Sequence, residues 1–270
     1  MHDRYRITPG TSVKLADFDP DENGGLEKDD DEVTDRTRAA LDFMHEYQER
    51  MYAEGCRALL IILQAMDAGG KDGTIEHVMS GLNPQACQVQ SFKVPTPLEL
   101  RHDFLWRIHQ WAPRAGHIMV FNRSHYEDVL VVRVHKLAPE SVWRKRYAHI
   151  NAFEQLLADS GTRIIKFFLN ISKDEQKKRF ERRLKDPTRN WKFEPADVAE
   201  RRHWDKYMKV FEDTFRHTST DWAPWHIIPA NRKWYRDLVI AELLVKTIKN
   251  LNLAYPKVDA EALQHIVIPD

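Results

Sequence analysis

Asp67, Gly69, Gly70, Lys71, Gly73 and Thr74 fall close together, directly after the apolar run Leu59-Leu60-Ile61-Ile62-Leu63. Glycines at the end of a strand let backbone N–H groups converge on an anion, at the N-terminus of a helix whose dipole favours negative charge. With Lys71 as its cation, the stretch Ala68-Gly69-Gly70-Lys71-Asp72-Gly73-Thr74 is a phosphate-binding loop. It departs from G-x-x-x-x-G-K-[ST] in having Ala65 at the first glycine and Asp72 at the hydroxyl that ordinarily ligates Mg2+. Asp67 would repel phosphates unless a divalent cation lay between them, so the metal role falls to Asp67. The plainer alternative, a glycine-rich turn with a solvated lysine, leaves that carboxylate without a reason.

A second polar stretch, Asn122-Arg123-Ser124-His125-Tyr126-Glu127-Asp128, follows the apolar run His117–Phe121. Asn122 stands where many P-loop proteins place an acid that helps to hold Mg2+; an amide ligates through its oxygen or orders a metal-bound water, and adds no charge. Arg123 can bind phosphate oxygens in bidentate fashion, and Glu127 can reach the same space. Glu127 and Asp128 could equally be exposed acids favoured by a helix dipole. A third stretch, from Lys177 to Lys192, places Arg179, Arg182 and Arg183 on nearly one helical face, breaks at Asp186-Pro187 and resumes with Arg189 and Lys192. It reads as a hinged basic lid that excludes water and supplies cations, or as a solvated basic face. Asn231-Arg232-Lys233 is either a further loop on the same edge or a capped helix start.

Strands must carry these loops. Leu59–Leu63, Gln88–Val94, His117–Phe121, Arg163–Leu169 and Trp225–Pro229 read as five of them. Helical spacing runs over Val33–Glu54, Thr74–Ser80, Thr96–Trp111, from Pro139 to Asp159, through the aromatic stripe Trp204–Phe215, and over Trp234–Leu251. That alternation predicts an α/β fold with a parallel sheet covered on both faces, where ligands bind outside the carboxyl ends of the strands. With 270 residues and 42% hydrophobic content, one domain can bury a full core. Lys plus Arg equals Asp plus Glu at 41 each, so no overall field favours nucleic acid or a membrane surface. No apolar run nears the roughly 20 residues of a membrane span. Cys56 and Cys87 make no disulfide framework, and the compartment expected is the cytoplasm. The acidic stretch Asp17–Glu32 reads as a mobile or peripheral part of an arm over residues 1–32, followed by a kinase-like domain over 33–252, with its lid at about 177–203, and a tail over 253–270.

The segments AMDAGGKDGT (65–74), FKVPT (92–96), HDFLWR (102–107), VFNRSHYEDVLVVRVH (120–135), DSGTRIIKFFL (159–169) and DPTRNWKF (186–193) with its following HWDKY resemble, in order, the type-2 polyphosphate kinases. The resemblance spans roughly Tyr5 to Asn252. It implies a three-layer P-loop kinase fold, thymidylate-kinase-like, with a five-stranded parallel sheet and a helical lid. The implied activity is transfer of a phosphoryl group from inorganic polyphosphate to AMP and ADP, giving ADP and ATP, with Mg2+ or alternatively Mn2+. The implied setting is a cytoplasmic homo-oligomer, a dimer or tetramer, without nucleic acid or membrane. Asn122 with Glu127 is similar to the subgroup that accepts both nucleotides. The resemblance makes Asp67 and Asn122 the metal-organising pair, and Gly69, Gly70, Lys71 and Arg123 phosphate contacts. Lys93, Arg107, Glu127 and Arg133 would border the acceptor, and Arg179, Arg182, Arg183, Arg189 and Lys192 would follow the polymer. An ATP-dependent nucleoside monophosphate kinase is the alternative within the fold. A non-catalytic P-loop binding module explains the loop but not the basic lid.

Overall fold

In the computed structural model, which describes residues 3–259, 266, 268 and 269, α1 (Asp31–Glu54) leads into β1 (Ala58–Gln64), α2 (Lys71–Val78), β2 (Cys87–Ser91), α3 (Trp106–His109), β3 (Ile118–Asn122), α4 (Val131–Val134) and α5 (Glu140–Asp159). β4 (Thr162–Asn170), α6 (Lys173–Lys185), α7 (Pro195–Arg201), α8 (Trp204–Thr218), β5 (Trp225–Pro229) and α9 (Lys233–Lys249) complete it. The strands lie in the order β2-β3-β1-β4-β5, each neighbouring pair parallel. β1 is buried at every position, as a central strand covered on both faces must be. α1 and α2 pack with α9, while α5 packs on β4 and α8. The α/β architecture is therefore the one expected.

Register fixes where the loops emerge. Leu63 stands beside Asn122 on one side and Phe167 on the other, and Ser91 beside Asn122. The residues after β1, β2 and β3 thus leave from one edge. Local chemistry moves several boundaries. β2 stops at Ser91 rather than Val94: the Asn122 carbonyl accepts from the Phe92 N–H at 3.0 Å, and β3 itself ends there. α2 begins at Lys71 rather than Thr74, because Gly70 turns the chain at φ 104°. The helix expected over Thr96–Trp111 is broken. Thr96 and Glu99 do cap one another, backbone to side chain, at 3.2 and 2.6 Å. Only a 3-10 turn follows, since Asp103 Oδ1 accepts from the N–H groups of Leu105 and Trp106 and starts the chain afresh as α3.

The acidic segment is also better anchored than its composition predicts. The carbonyls of Phe18, Pro20 and Asp21 accept from Asn170 Nδ2, the Asn231 N–H and Arg232 Nε, each at 3.0 Å, so the segment lies against the ends of β4 and β5. Ahead of it, Arg6 forms an antiparallel bridge with His226, the Ile7 N–H donates to the Trp225 carbonyl at 2.9 Å, and the Tyr5 and Tyr235 hydroxyls share a hydrogen bond at 2.9 Å. Of the tail expected over 253–270, residues 260–265, 267 and 270 lie outside the described residues. Among the described residues no helix is long and apolar enough to cross a membrane.

Candidate active site

The phosphate loop is held in shape by two unusual backbone positions. Ala68 sits at φ 59° and Gly70 at φ 104°. The Gly69 N–H closes on the Met66 carbonyl at 2.9 Å, and a Cβ on Gly69 would stand 2.5 Å from that of Ala65 and 2.7 Å from the Met66 oxygen. Only glycine allows so tight a return. Lys71, at the first position of α2, is 9% exposed and its Nζ donates to the Ala65 carbonyl at 3.1 Å. Burial, then the Arg123 charge, pulls its ammonium down to about 8, against Asp67, Glu127 and Asp72, which favour the charged form. It is a cation short of solvent and ready for an anion.

β3 delivers the facing groups. The Arg123 N–H donates to the Leu63 carbonyl at 3.1 Å, and at φ 61° the chain then turns, which sends NH2 of Arg123 to within 2.5 Å of Asp67 Oδ1. Asn122 Nδ2 donates to Asp72 Oδ1 at 2.8 Å. Glu127 is half-buried rather than a solvated acid. Burial raises its pKa, opposed by Arg123 and Lys71. With the Gln64 amide oriented to satisfy both its ends, Nε2 donates to Glu127 Oε1 at 3.0 Å, while its oxygen accepts from Ser124. Asp67, Lys71, Arg123 and Glu127 thus form one cluster, and Asn122 with Asp72 adjoins it.

A closed network fixes this turn from behind. Lys166 Nζ donates to Glu154 Oε2 at 2.5 Å, to the Tyr126 hydroxyl at 2.7 Å and to the Thr218 carbonyl at 2.7 Å. Tyr126 donates on to Glu154 Oε1 at 2.8 Å, and His125 Nε2 meets the same oxygen at 3.1 Å. All four side chains are fully buried. Burial lowers the His125 pKa, so the ring is neutral and Nε2 carries the proton given to Glu154.

The cluster suits Mg2+ in the manner of that ion, which takes one or two carboxylates and leaves its other positions to phosphates and water. Among the described residues there is no group of three or more His, Cys, Asp or Glu side chains that would form a protein-only cage. Asp67 and Asn122, the expected pair, both lie at the loop. Asp72 joins them through its bond to Asn122, a role hidden in sequence because the position belongs to the loop motif.

The remaining candidates divide. Arg107 is buried, donates from NH1 to the Lys93 carbonyl at 2.9 Å and lies 5.4 Å from the Phe92 ring centre, so Lys93 and Arg107 are brought together. Arg133 turns instead to α5 and α8, with NH1 2.6 Å from Asp213 Oδ2 and its guanidinium 4.0 Å from the Trp143 ring centre. The α6 arginines do not share one environment. Arg179 is buried and staples the loop to the end of β5, from NH1 to the Ala68 carbonyl at 3.0 Å and from NH2 to the Ala230 carbonyl at 2.6 Å. Arg182 is exposed and pairs with Glu175 at 3.0 Å; Arg183 faces Asp197 of α7 at 3.5 Å; Arg189 pairs with Asp186 at 3.2 Å; Lys192 lies over Trp191 at 4.9 Å. Arg236, on α9, was not among the expected residues, yet its guanidinium reaches the loop: a Cβ on Gly70 would lie 2.0 Å from its NH1.

Comparison with known proteins agrees with this geometry. The model of the family described as Polyphosphate kinase 2 (PPK2) matches residues 26–256. The chain is 49% identical over 265 residues to an AMP/ADP-polyphosphate phosphotransferase of Meiothermus ruber, covering 98% of this chain and 99% of that protein. It is 43% identical to an ADP-polyphosphate phosphotransferase of Rhodopseudomonas palustris, with 94% and 92% covered. The crystal structure of polyphosphate kinase 2 from Arthrobacter aurescens superposes with a TM-score of 0.91 at 44% identity, over 97% of this chain and 94% of that one. The phosphate loop, the Asn122–Glu127 turn and the basic α6 segment therefore stand on a chain that belongs to the polyphosphate kinase 2 family.

Proposed function

We propose that this protein is an enzyme that transfers a phosphoryl group from inorganic polyphosphate to AMP and to ADP, forming ADP and ATP. The observation that carries the reading is the convergence, at one sheet edge, of the loop, the Asp67–Arg123–Glu127 cluster and the cationic α6 segment. The names of its relatives support the two acceptors. In the reaction a terminal phosphate oxygen of the nucleotide attacks the end phosphorus of the polymer, the bridging P–O bond breaks, and a polymer one unit shorter leaves with the electron pair. The attacking oxygen is already ionised, so no strong base is needed, and rate comes from alignment and from charge placed in advance.

Lys71 and the loop N–H groups would cradle the transferred phosphoryl, and Arg123 would span its oxygens. Asp67, Asp72 and Asn122 would hold Mg2+, which when bound neutralises phosphate oxygens as charge redistributes. Lys93 and Arg107 would border the acceptor. Closure of α6 and α7 would exclude water, which competes with the nucleotide as acceptor. On this reading the enzyme acts in the cytoplasm as a homo-oligomer. Purified protein given polyphosphate, AMP and Mg2+ without ATP should form ADP and then ATP. Phosphorylation of AMP by ATP with none by polyphosphate would overturn the reading.

Glu127 bears on the choice of acceptor. AMP is one phosphate shorter than ADP, yet either terminal oxygen must come within about 3–3.5 Å of the donor phosphorus. A half-buried carboxylate beside Arg123 and Lys71 can fill the gap that AMP leaves, by ordering a water or a metal ion beside the α-phosphate. Glu127→Asn should lower turnover with AMP more than with ADP, shifting their ratio by roughly 1–3 kcal/mol, the size of one charge-assisted contact. Parallel assays with the two acceptors test it; equal losses would remove Glu127 from acceptor choice.

A further inference from the structure

The loop carries two cation clusters, and only the first has been given work. Around Lys71 the charges are mixed, with Arg123 alongside Asp67, Glu127 and Asp72. On the α9 side they are mostly positive. Arg236 is 1% exposed, and its NH1 has no hydrogen-bond partner. Nε of Arg236 donates to Asp237 at 2.8 Å. A buried guanidinium nitrogen left unsatisfied costs about 1–3 kcal/mol, so its retention calls for a partner that arrives later. Gly70 lies between two such groups: its Cβ would stand 2.0 Å from Arg236 NH1 and 3.3 Å from Arg179 NH1.

One helical turn before Arg236, Lys233 opens α9 on the exposed side. Burial and the like charges of Arg179, Arg182, Arg236 and Arg189 all press on its ammonium in the same direction, downward. Five cations from α6, the turn after it and α9 thus meet beside the loop. Their carboxylate partners are three: Glu175 for Arg179 and Arg182, Asp186 for Arg189 and Asp237 for Arg236. The helix N-terminus adds its own positive end. A mixed cluster suits a metal and a reacting phosphoryl group. A cluster with surplus positive charge, continuous with the first through Gly70, suits phosphates that do not react.

Resting on the polyphosphate reading above, we propose that Lys233 and Arg236, with Arg182 and Arg189, form a subsite for the part of the polymer that stays with the donor. The chain then runs from the loop between α6 and the first turn of α9. Lys233 makes the outer contact with a phosphate of the polymer, and Arg236 is a positioning residue that backs Gly70 with charge. A nucleoside triphosphate donor has no phosphates to reach so far, whereas a polymer with one charge per unit does.

The test uses Lys233→Gln, an exposed change that leaves the core untouched, with Arg236→Lys and Arg236→Gln as companions. Steady-state assays vary polyphosphate of long chain length and, separately, tripolyphosphate, at saturating AMP. For Lys233→Gln the expected result is a rise of about tenfold in KM for the long polymer, with a weaker dependence of that KM on salt. KM for AMP and for tripolyphosphate should stay near those of the unaltered protein. Arg236→Gln should weaken both donors, and Arg236→Lys should recover part of the loss. An unchanged long-polymer KM for Lys233→Gln in a protein that turns over polyphosphate would overturn the subsite and leave the function intact. Equal rises for polymer and tripolyphosphate would overturn it also, by placing Lys233 at the reacting phosphate. Failure of the unaltered protein to use polyphosphate at all would instead sink the reading on which the subsite rests.

Discussion

Replacing Lys71 with alanine is expected to lower turnover by about 10²-fold or more while the protein keeps its fold, because a preorganised charge aimed at a transferring group is worth that much in a site short of water. The side chain is 9% exposed and bound to the Ala65 carbonyl, so it cannot drift from the loop when the substrate is absent. Its pKa adds a second readout. In the free protein the ammonium is held down to about 8, so kcat/KM should fall as pH rises through that value and the lysine becomes neutral. Lys71→Arg should remove this alkaline limb, since a guanidinium stays charged. A folded Lys71→Ala protein with near-normal turnover would take Lys71 out of the mechanism.

The second large effect belongs to Asp67. It brings a formal charge both to Mg2+ and to Arg123, which it holds at 2.5 Å, whereas Asn122 brings only an amide whose nitrogen is already given to Asp72. Asp67→Asn should therefore cost about 10²-fold or more and raise the Mg2+ concentration needed for half-maximal rate. Asn122→Ala should cost about tenfold, the scale of a group that orients a ligand. Titrating Mg2+ against rate for both variants separates them. Equal, mild losses would mean that neither position organises the metal.

These groups were legible from sequence because the chemistry is local. Asp67, Gly69, Gly70 and Lys71 are neighbours in the chain, and the apolar run before them is long enough to declare a strand. Arg123 and Asn122 declared themselves in the same way. What spacing could not show is how side chains from distant elements divide a shared surface. Arg179 and Arg182 lie on one face of α6, yet the helix root is buried against the loop, so the first is a staple and the second is exposed. Gln64 reads as the last residue of a strand and becomes the support of Glu127. The one signal for Arg236 was a charged pair, Arg236-Asp237, set among the apolar residues of a helix that otherwise reads as core.

Other differences have the same physical origin. The start of a helix at Thr96 was readable from its reciprocal cap, but a cap does not fix where the helix stops, and Asp103 offered the backbone a competing set of acceptors. The acidic segment was read by composition as peripheral. Its anchoring runs through backbone carbonyls, at Phe18, Pro20 and Asp21, which every residue type possesses and no composition reveals.

The bridge between Arg6 and His226, with the Ile7 bond to Trp225, bears on the order in which this protein can be made. On the ribosome, β1 waits for β3 and then for β4 before its flanks are covered, and residues 3–7 must wait longer still, until β5 and the start of α9 have been translated. Contacts across so much chain close slowly, and an unpaired strand edge in a half-made sheet invites pairing with another chain. The residues synthesised first are thus among the last to find their place, and until they do the β5 edge lies open to foreign strands.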